Sequence, residues 1–257
     1  MKQLLEINVD GREILGRPRD LTRPLGLFVK RNGFHGWEGL PAGRREALAR
    51  AVEHGEHDVP TYLPARVVTV DGWVLAPSVR ELQHEIDRVT GTGASGDRTK
   101  TVVQLRGSTR FAYARRALAE VEDDRGQWTG RVLRTSFQLQ LIFADPRRYG
   151  ETKVFPETGT ATSIQVAHKG NFPAFPLIEI PSAPANYTVS SPGRAFVVSG
   201  ATAGGTHTVD LRRGRVYRNG VEMPGVGQGD LWTIPPGVRT LFTLSVAGRV
   251  TVIDTFV

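Results

Sequence analysis

The sequence predicts a mainly β protein in two parts: an N-terminal part of strands with one flanking α-helix, then an all-β part that reads as a sandwich or a barrel. Three observations predict it. Strand-like alternation recurs along the chain, most clearly over Ser136–Ala144, where Phe137, Leu139, Leu141 and Phe143 share one face and Gln138 and Gln140 the other. Only one segment carries a strong helical stripe. With 29 Gly and 16 Pro in 257 residues, breakers are dense enough to divide the chain into many short elements.

From Leu4 to Ile14 the chain reads as a strand, an Asp10-Gly11 turn and a returning strand. Thr22 to Pro41 mixes strand-like pieces with Gly33, Gly36 and Gly39. Arg44 to Val52 reads either as a short helix stopped by Gly55 or as an extended arm; Ala47, Leu48, Ala51 and Val52 favour the helix. Arg66 to Leu75 reads as a hairpin with Asp71-Gly72 at its tip. The helix follows. Ser78 and Glu81 form a capping box after Pro77, Val79, Leu82, Ile86 and Val89 make the apolar stripe, and Gly91 supplies the stop. Thr92 to Arg98 is expected to be an exposed, mobile loop without an apolar anchor. Strands are expected at Thr101–Leu105 and Arg110–Arg115, the latter alternating Phe111 and Tyr113 with small residues.

Asp145-Pro146-Arg147-Arg148-Tyr149-Gly150 breaks the clearest strand and places a domain boundary near Gly150, giving parts 1–150 and 151–257. Beyond it no helical pattern remains. Short strands are expected at Ser163–Ala167, Leu177–Ile180, Tyr187–Ser190, Ala195–Ser199, Thr206–Leu211, Arg215–Arg218, Leu231–Ile234, Thr240–Val246 and Arg249–Val257. Asn219-Gly220 is a hairpin turn signal, and strands at this spacing argue for a sandwich or barrel.

Composition narrows the function classes. There is no cysteine, so disulfides, thiolate nucleophiles and sulfur-rich metal sites are out. Met1 to Asp10 lacks the apolar run of a signal peptide, and no stretch is long enough to span a bilayer, which fits folding in a cytoplasm. The formal net charge of +7 raises nucleic acid as a partner. The Arg residues are spread along the chain, however, in short clusters at Arg115-Arg116, Arg147-Arg148 and Arg212-Arg213-Arg215, which reads as a solvated basic surface.

The search for catalytic chemistry is negative. Gly91-Thr92-Gly93-Ala94-Ser95-Gly96 matches a dinucleotide fingerprint, but a helix precedes it and a strand follows, the reverse of what a pyrophosphate site needs. Lys100-Thr101 makes no phosphate loop either, since Thr99 stands where a glycine is required. His54, Glu56, His57 and Asp58 are the densest group of metal-ligand types, but their spacing is not that of a zinc helix and an exposed polar turn explains them. His84 and Asp87, one helical turn apart, make at most half a site. His207 alternates with Val209 and Leu211 and reads as a structural, partly buried histidine. Trp73, Trp128 and Trp232 suit core or interface roles better than sugar stacking. No catalytic residue, metal ligand or cofactor is assigned, and the chain is expected not to be an enzyme.

Taken in order, these features resemble the distal tail (Dit) proteins of long-tailed, non-contractile bacteriophages. The N-terminal hairpin, the Arg66–Gly72 strand-turn, the capped helix and the Phe143–Gly150 ending resemble the family's first domain and hinge. Gly170–Ile180, Val209–Gly220 and Leu231–Gly237 are similar to stretches of its second domain. The resemblance implies a ring-forming belt domain over 1–150, a β-sandwich with one flanking α-helix and a projecting hairpin, and a galectin-like β-sandwich over 151–257. It implies a homo-hexameric ring in the virion, at the distal end of the tail, made in the host cytoplasm. The ring would join the tail tube protein to tail-tip, baseplate and host-recognition proteins, with genome DNA passing through its lumen non-specifically. A strand such as Ser136–Ala144 would then have its edge covered by a neighbouring subunit. The alternative is a host-glycan-binding module for host attachment, although His207 is followed by Thr208-Val209-Asp210 and not by the sugar-binding pattern of true galectins.

Overall fold

The computed structural model describes residues 4–40, 42–122 and 132–257, and for 127–129 the backbone alone. Strands dominate, and one α-helix is present among the described residues. The chain divides into two compact units, Met1–Arg148 and Tyr149–Val257.

In the first unit β1 (Leu5–Val9) turns through Asp10 and Gly11, at φ 54° and 77°, into β2 (Arg12–Leu15). Positive φ at both positions lets so tight a turn match the strand twist. Then come β3 (Gly26–His35), β4 (Arg66–Ala76), α1 (Val79–Gly91), β5 (Thr99–Leu105), β6 (Ser108–Val121), β7 (Gln127–Thr129) and β8 (Val132–Phe143). Seven strands pair in a closed circuit: β1–β5–β6–β8–β4–β3 antiparallel, β3–β2 parallel, and β2 back to β1. This is a barrel where the family resemblance implies a sandwich. The short parallel pairing of Ile14 with Leu27 and Leu15 with Phe28 joins what would be two edges. Closure also overturns the expectation that a neighbouring subunit covers the edge of Ser136–Ala144, because β8 already lies between β4 and β6.

Asp71-Gly72 is not a turn. β4 runs through it as an eleven-residue strand with alternating burial. Glycine is there for close approach: a Cβ would stand 2.3 Å from the Phe137 ring and 2.7 Å from the Phe28 carbonyl oxygen. Nor is there a helix over Arg44–Val52. Instead the chain leaves and returns as an extended arm, bridged at Arg44–Tyr62 and Ala49–Glu56. Leu48 and Val52 are 76% and 95% exposed, so among the described residues a helix there has no surface on which to bury a stripe.

The helix starts as expected. Ser78 Oγ accepts from the Glu81 N–H (3.3 Å) and donates to Glu81 Oε2 (2.7 Å). Its packed face differs from the expected stripe: Leu82 and Val89 join the barrel core, Val79 is exposed, and Glu85 is buried, paired with Arg88 at 2.8 Å. The helix ends on Thr92, whose N–H and hydroxyl reach the Val89 and Arg88 carbonyls. The positive φ comes at Gly93 and not at Gly91. Thr92 and Gly93 are therefore packed in, and only Ala94–Arg98 of the expected mobile loop is exposed.

The chain crosses the division in β9 (Arg148–Phe155), so the break at Asp145-Pro146 is shorter than the sequence suggests. Then follow β10 (Ala161–Val166), β11 (Leu177–Ile180), β12 (Tyr187–Ser191), β13 (Arg194–Val198), β14 (His207–Asp210), β15 (Arg215–Arg218), β16 (Val221–Glu222), β17 (Gly227–Gly229) and β18 (Thr240–Phe256). Asn219 and Gly220, at φ 48° and 83°, form the expected turn. β18 is one 17-residue strand where two were expected. Its first part pairs with β10 and β12, and its later part pairs with β11. At the changeover a Cβ on Gly248 would lie 2.6 Å from the Glu179 carbonyl oxygen. Leu231–Ile234 is not a strand; Ile234 makes a single bridge to Ala174. The unit has its own core, including Ile178, Val189, Phe196, Val209, Trp232, Phe242 and Val250.

Candidate functional site

The residues picked out for chemistry do not converge. Glu56 and Asp58 lie on the exposed arm and both face Arg45, a cation where a metal would have to be. His84 and Asp87 are exposed on α1, with Asp87 accepting from Gln83 at 2.9 Å. Among the described residues no three His, Asp or Glu groups are placed to hold a metal. His207 is fully buried in the second unit. Its Nε2 donates to the Thr202 carbonyl at 2.9 Å and its Nδ1 faces the Tyr187 hydroxyl at 3.3 Å, so both nitrogens are used in packing. Burial raises the pKa of that tyrosine well above the usual range. Trp232 is 3% exposed against Phe242 and offers no stacking face. Trp73 lies on the barrel's outer side with Lys30 and Arg134 over its ring, at 4.1 and 4.7 Å. The Trp128 side chain lies outside the described residues.

Two groups of buried charge had no counterpart in the sequence reading. Arg66, 1% exposed, donates from Nε to the Pro146 carbonyl (3.0 Å) and from Nη1 to the carbonyls of Gly36 (2.8 Å), Trp37 (2.9 Å) and Gly39. Nearby Arg148 reaches Glu38 at 2.9 Å. Burial, and next the repulsion of Arg110, lowers its pKa. In the second unit Asp254 binds Lys153 Nζ at 2.7 and 2.8 Å and accepts from the Lys169 N–H at 2.7 Å. Beside it the buried His168 is held by the Ile234 carbonyl and the Gly170 N–H. A signal for these was present: Arg66 and Asp254 occupy core-facing places in alternating strands, where a charge must find partners inside. The partners come from distant segments, so they cannot be named from the strand alone.

These networks brace backbone: their partners are mostly main-chain carbonyls and N–H groups. What stays open is surface: the arm, with Leu48, Val52 and Tyr62 exposed at 76%, 95% and 63%, and the outer side of the barrel. Exposed apolar side chains grouped in this way are a common feature of surfaces that meet other macromolecules.

No protein-family model matches the chain, and none of the curated protein sequences does. Solved structures match it from end to end. The Dit protein of phage SPP1, described as a hub of the adsorption apparatus in phages infecting Gram-positive bacteria, is 17% identical, with a TM-score of 0.76 over 99% of this chain and 100% of that one. Two structures of the phage P2 baseplate in its activated conformation, with Ca and with Sr, are 12% identical. Each has a TM-score of 0.52, covering 99% and 98% of this chain respectively and 98% of the matched chain. The chain thus has the fold of a Dit-type phage distal tail protein.

Proposed function

We propose that the chain is a structural subunit of a phage tail tip, a distal tail protein that forms a homo-hexameric hub ring in the virion. The observation that carries this reading is a fold match to SPP1 Dit that runs through both units and nearly the full length of each chain. A match restricted to one unit would speak only for a widely shared module. The barrel unit is the ring-forming belt. The second unit, with its two sets of strands sharing β18, is a galectin-like β-sandwich that serves as a docking platform for tail-tip and baseplate proteins. The belt faces the tail tube, and the genome passes through the ring without sequence recognition.

Two features support a role in assembly over one in catalysis. Among the described residues nothing covers the arm's apolar side chains Leu48, Val52 and Tyr62, and such side chains are normally covered by a partner. Buried polar groups such as Arg66, Asp254 and His207 are occupied in bracing loops. Imaging of assembled tails, or co-expression with the tail-tip partner, tests the reading. Six copies per tail, in one ring at the distal end, are expected; one copy per tail, or absence from the virion, sinks it.

A further inference from the structure

The basic residues are spread along the chain, but in one stretch no acidic residue offsets them. From Arg98 to Ala119 the chain holds Arg98, Lys100, Arg106, Arg110, Arg115 and Arg116 and no Asp or Glu. Removing those six leaves 27 of the 33 basic residues against 26 acidic ones, so this stretch carries nearly all of the net +7. It is the β5–β6 hairpin, in which Lys100 stands opposite Tyr113 and Val102 opposite Phe111. Ala112 and Ala114 take the core-facing places, each 1% exposed, which puts Phe111, Tyr113 and Arg115 on the outer face. The Lys100 ammonium lies 4.3 Å from the Phe111 ring and the Arg98 guanidinium 4.5 Å from the Tyr113 ring. Arg115 and Arg116 donate to the carbonyls of Gly96 and Thr90. Rings and carbonyls orient these cations without neutralising them. Among the described residues, Arg98, Lys100, Arg115 and Arg116 meet no carboxylate.

A second outer patch has the opposite character. Asp71 on β4, Gln138 on β8 and Glu120 on β6 stand in one row across the ladder. With Glu122 and Ser136 they line an open cleft of about 470 Å³. Ser136 is 2% exposed, and its hydroxyl has no hydrogen-bond partner among the described residues. Lys30, which also lines the cleft, has its ammonium over the Trp73 ring, and Asp71 accepts from Gln138 at 2.8 Å. Exposed carboxylates beside an unpartnered buried hydroxyl call for a cationic hydrogen-bond donor. With no metal-holding group among the described residues, a guanidinium or ammonium suits the cleft better than a metal ion.

We propose that the two patches are the two halves of one head-to-tail contact between copies of this chain, in which cations of the Arg98–Arg116 ribbon enter the Asp71–Glu122 cleft of the next copy. The proposal rests on the ring reading above and names the contact that closes the ring. A head-to-tail interface needs two different, non-overlapping surfaces on each subunit. Arg115 and Glu120 are separated by roughly 16 Å of strand at the usual rise per residue, with a bulge between Arg116 and Leu118 that bends β6 between the patches. A two-fold contact through either patch would set like charges together.

Charge reversal tests it on the full-length chain. Glu120→Lys with Glu122→Lys makes the cleft basic, and Arg98→Glu with Lys100→Glu makes the ribbon acidic; all four side chains are exposed. In sedimentation at up to millimolar concentration, each variant alone is expected to self-associate at least about ten-fold more weakly than the unaltered chain. An equimolar mixture is expected to recover, because every basic surface then finds an acidic one, and native mass spectrometry should count the two variants in equal numbers. The neutral pairs Glu120→Gln with Glu122→Gln, and Arg98→Gln with Lys100→Gln, should also weaken association, which keeps the test decisive if a reversed chain fails to melt cooperatively. Full-strength association by either variant, no recovery in the mixture, or an unaltered chain that stays monomeric at millimolar concentration overturns the contact. So does a ribbon variant that loses binding to duplex DNA while self-association is unchanged, which would make the ribbon a nucleic-acid surface. Tails decide the ring separately: normal rings built from the variants sink the contact alone, and the absence of rings with the unaltered chain sinks the ring.

Discussion

The guanidinium of Arg66 is surrounded by backbone carbonyls from two segments, 36–39 and Pro146, and not by a carboxylate. Burial first, and the repulsion of Arg148 second, lowers its pKa to about 10. Folded and unfolded chains therefore both hold the proton at neutral pH, and only above the folded value would the unfolded chain bind more protons and stability rise with pH. Arg66→Met should lower stability by about 3 kcal/mol, since buried acceptors lose their donor. Urea unfolding should give the same difference at every pH between about 6 and 9; a difference that changes within that range would mean another titrating group is involved. Gly72 makes the complementary point, because its backbone is extended and only space is at issue. Gly72→Ala should cost about 2 kcal/mol or more by pressing on Phe137 and the Phe28 carbonyl. A neutral result in the same urea experiment would return Asp71-Gly72 to the tip of a hairpin.

Among the elements, α1 shows a local signal that survives folding. Ser78 caps it as its position before Glu81 suggests, and Ser78→Ala should cost about 1 kcal/mol, read as a lower midpoint in thermal unfolding. The arm shows the reverse, a weak helical pattern lost because nothing among the described residues lies beside it to receive Leu48 and Val52. Limited trypsin digestion should cut the arm at Arg45 or Arg50 before it cuts at Arg98, whose guanidinium rests on the Tyr113 ring and whose loop is anchored by Thr92. Earlier cleavage at Arg98 would show the β5–β6 ribbon to be looser than its ring contacts imply.

For the whole molecule, two separate cores stand on either side of residue 148. A fragment of residues 149–257 should show a cooperative thermal transition on its own, because its core draws on no residue before Phe155. Starting the fragment at 151 would remove two residues of β9, so the longer fragment should melt higher. A non-cooperative melt of residues 149–257 would mean that the two units share their stability. The seven-stranded circuit bears on assembly as well. Because β4, β6 and β8 are paired on both sides, the proposed contact between copies runs through side chains on the outer face of β4, β5, β6 and β8 and not through the edges of these strands.

The sequence by itself determined what depends on near neighbours along the chain. The turns at Asp10-Gly11 and Asn219-Gly220, the cap at Ser78 and the alternation in Phe137–Phe143 all rest on local φ, local hydrogen bonds or period-two burial, and the structure has each. Tertiary structure alone decided what depends on residues far apart. Gly72 reads as a turn until Phe137 is beside it, and β18 reads as two strands until Gly248 is seen passing the Glu179 carbonyl. The sandwich became a barrel through the two residue pairs that join β2 to β3. Arg66, Asp254 and the outer charge patches follow the same rule. A strand pattern states which face a residue occupies, but the partner that satisfies a charge comes from another strand, and pairing order is set by long-range packing that no local period records.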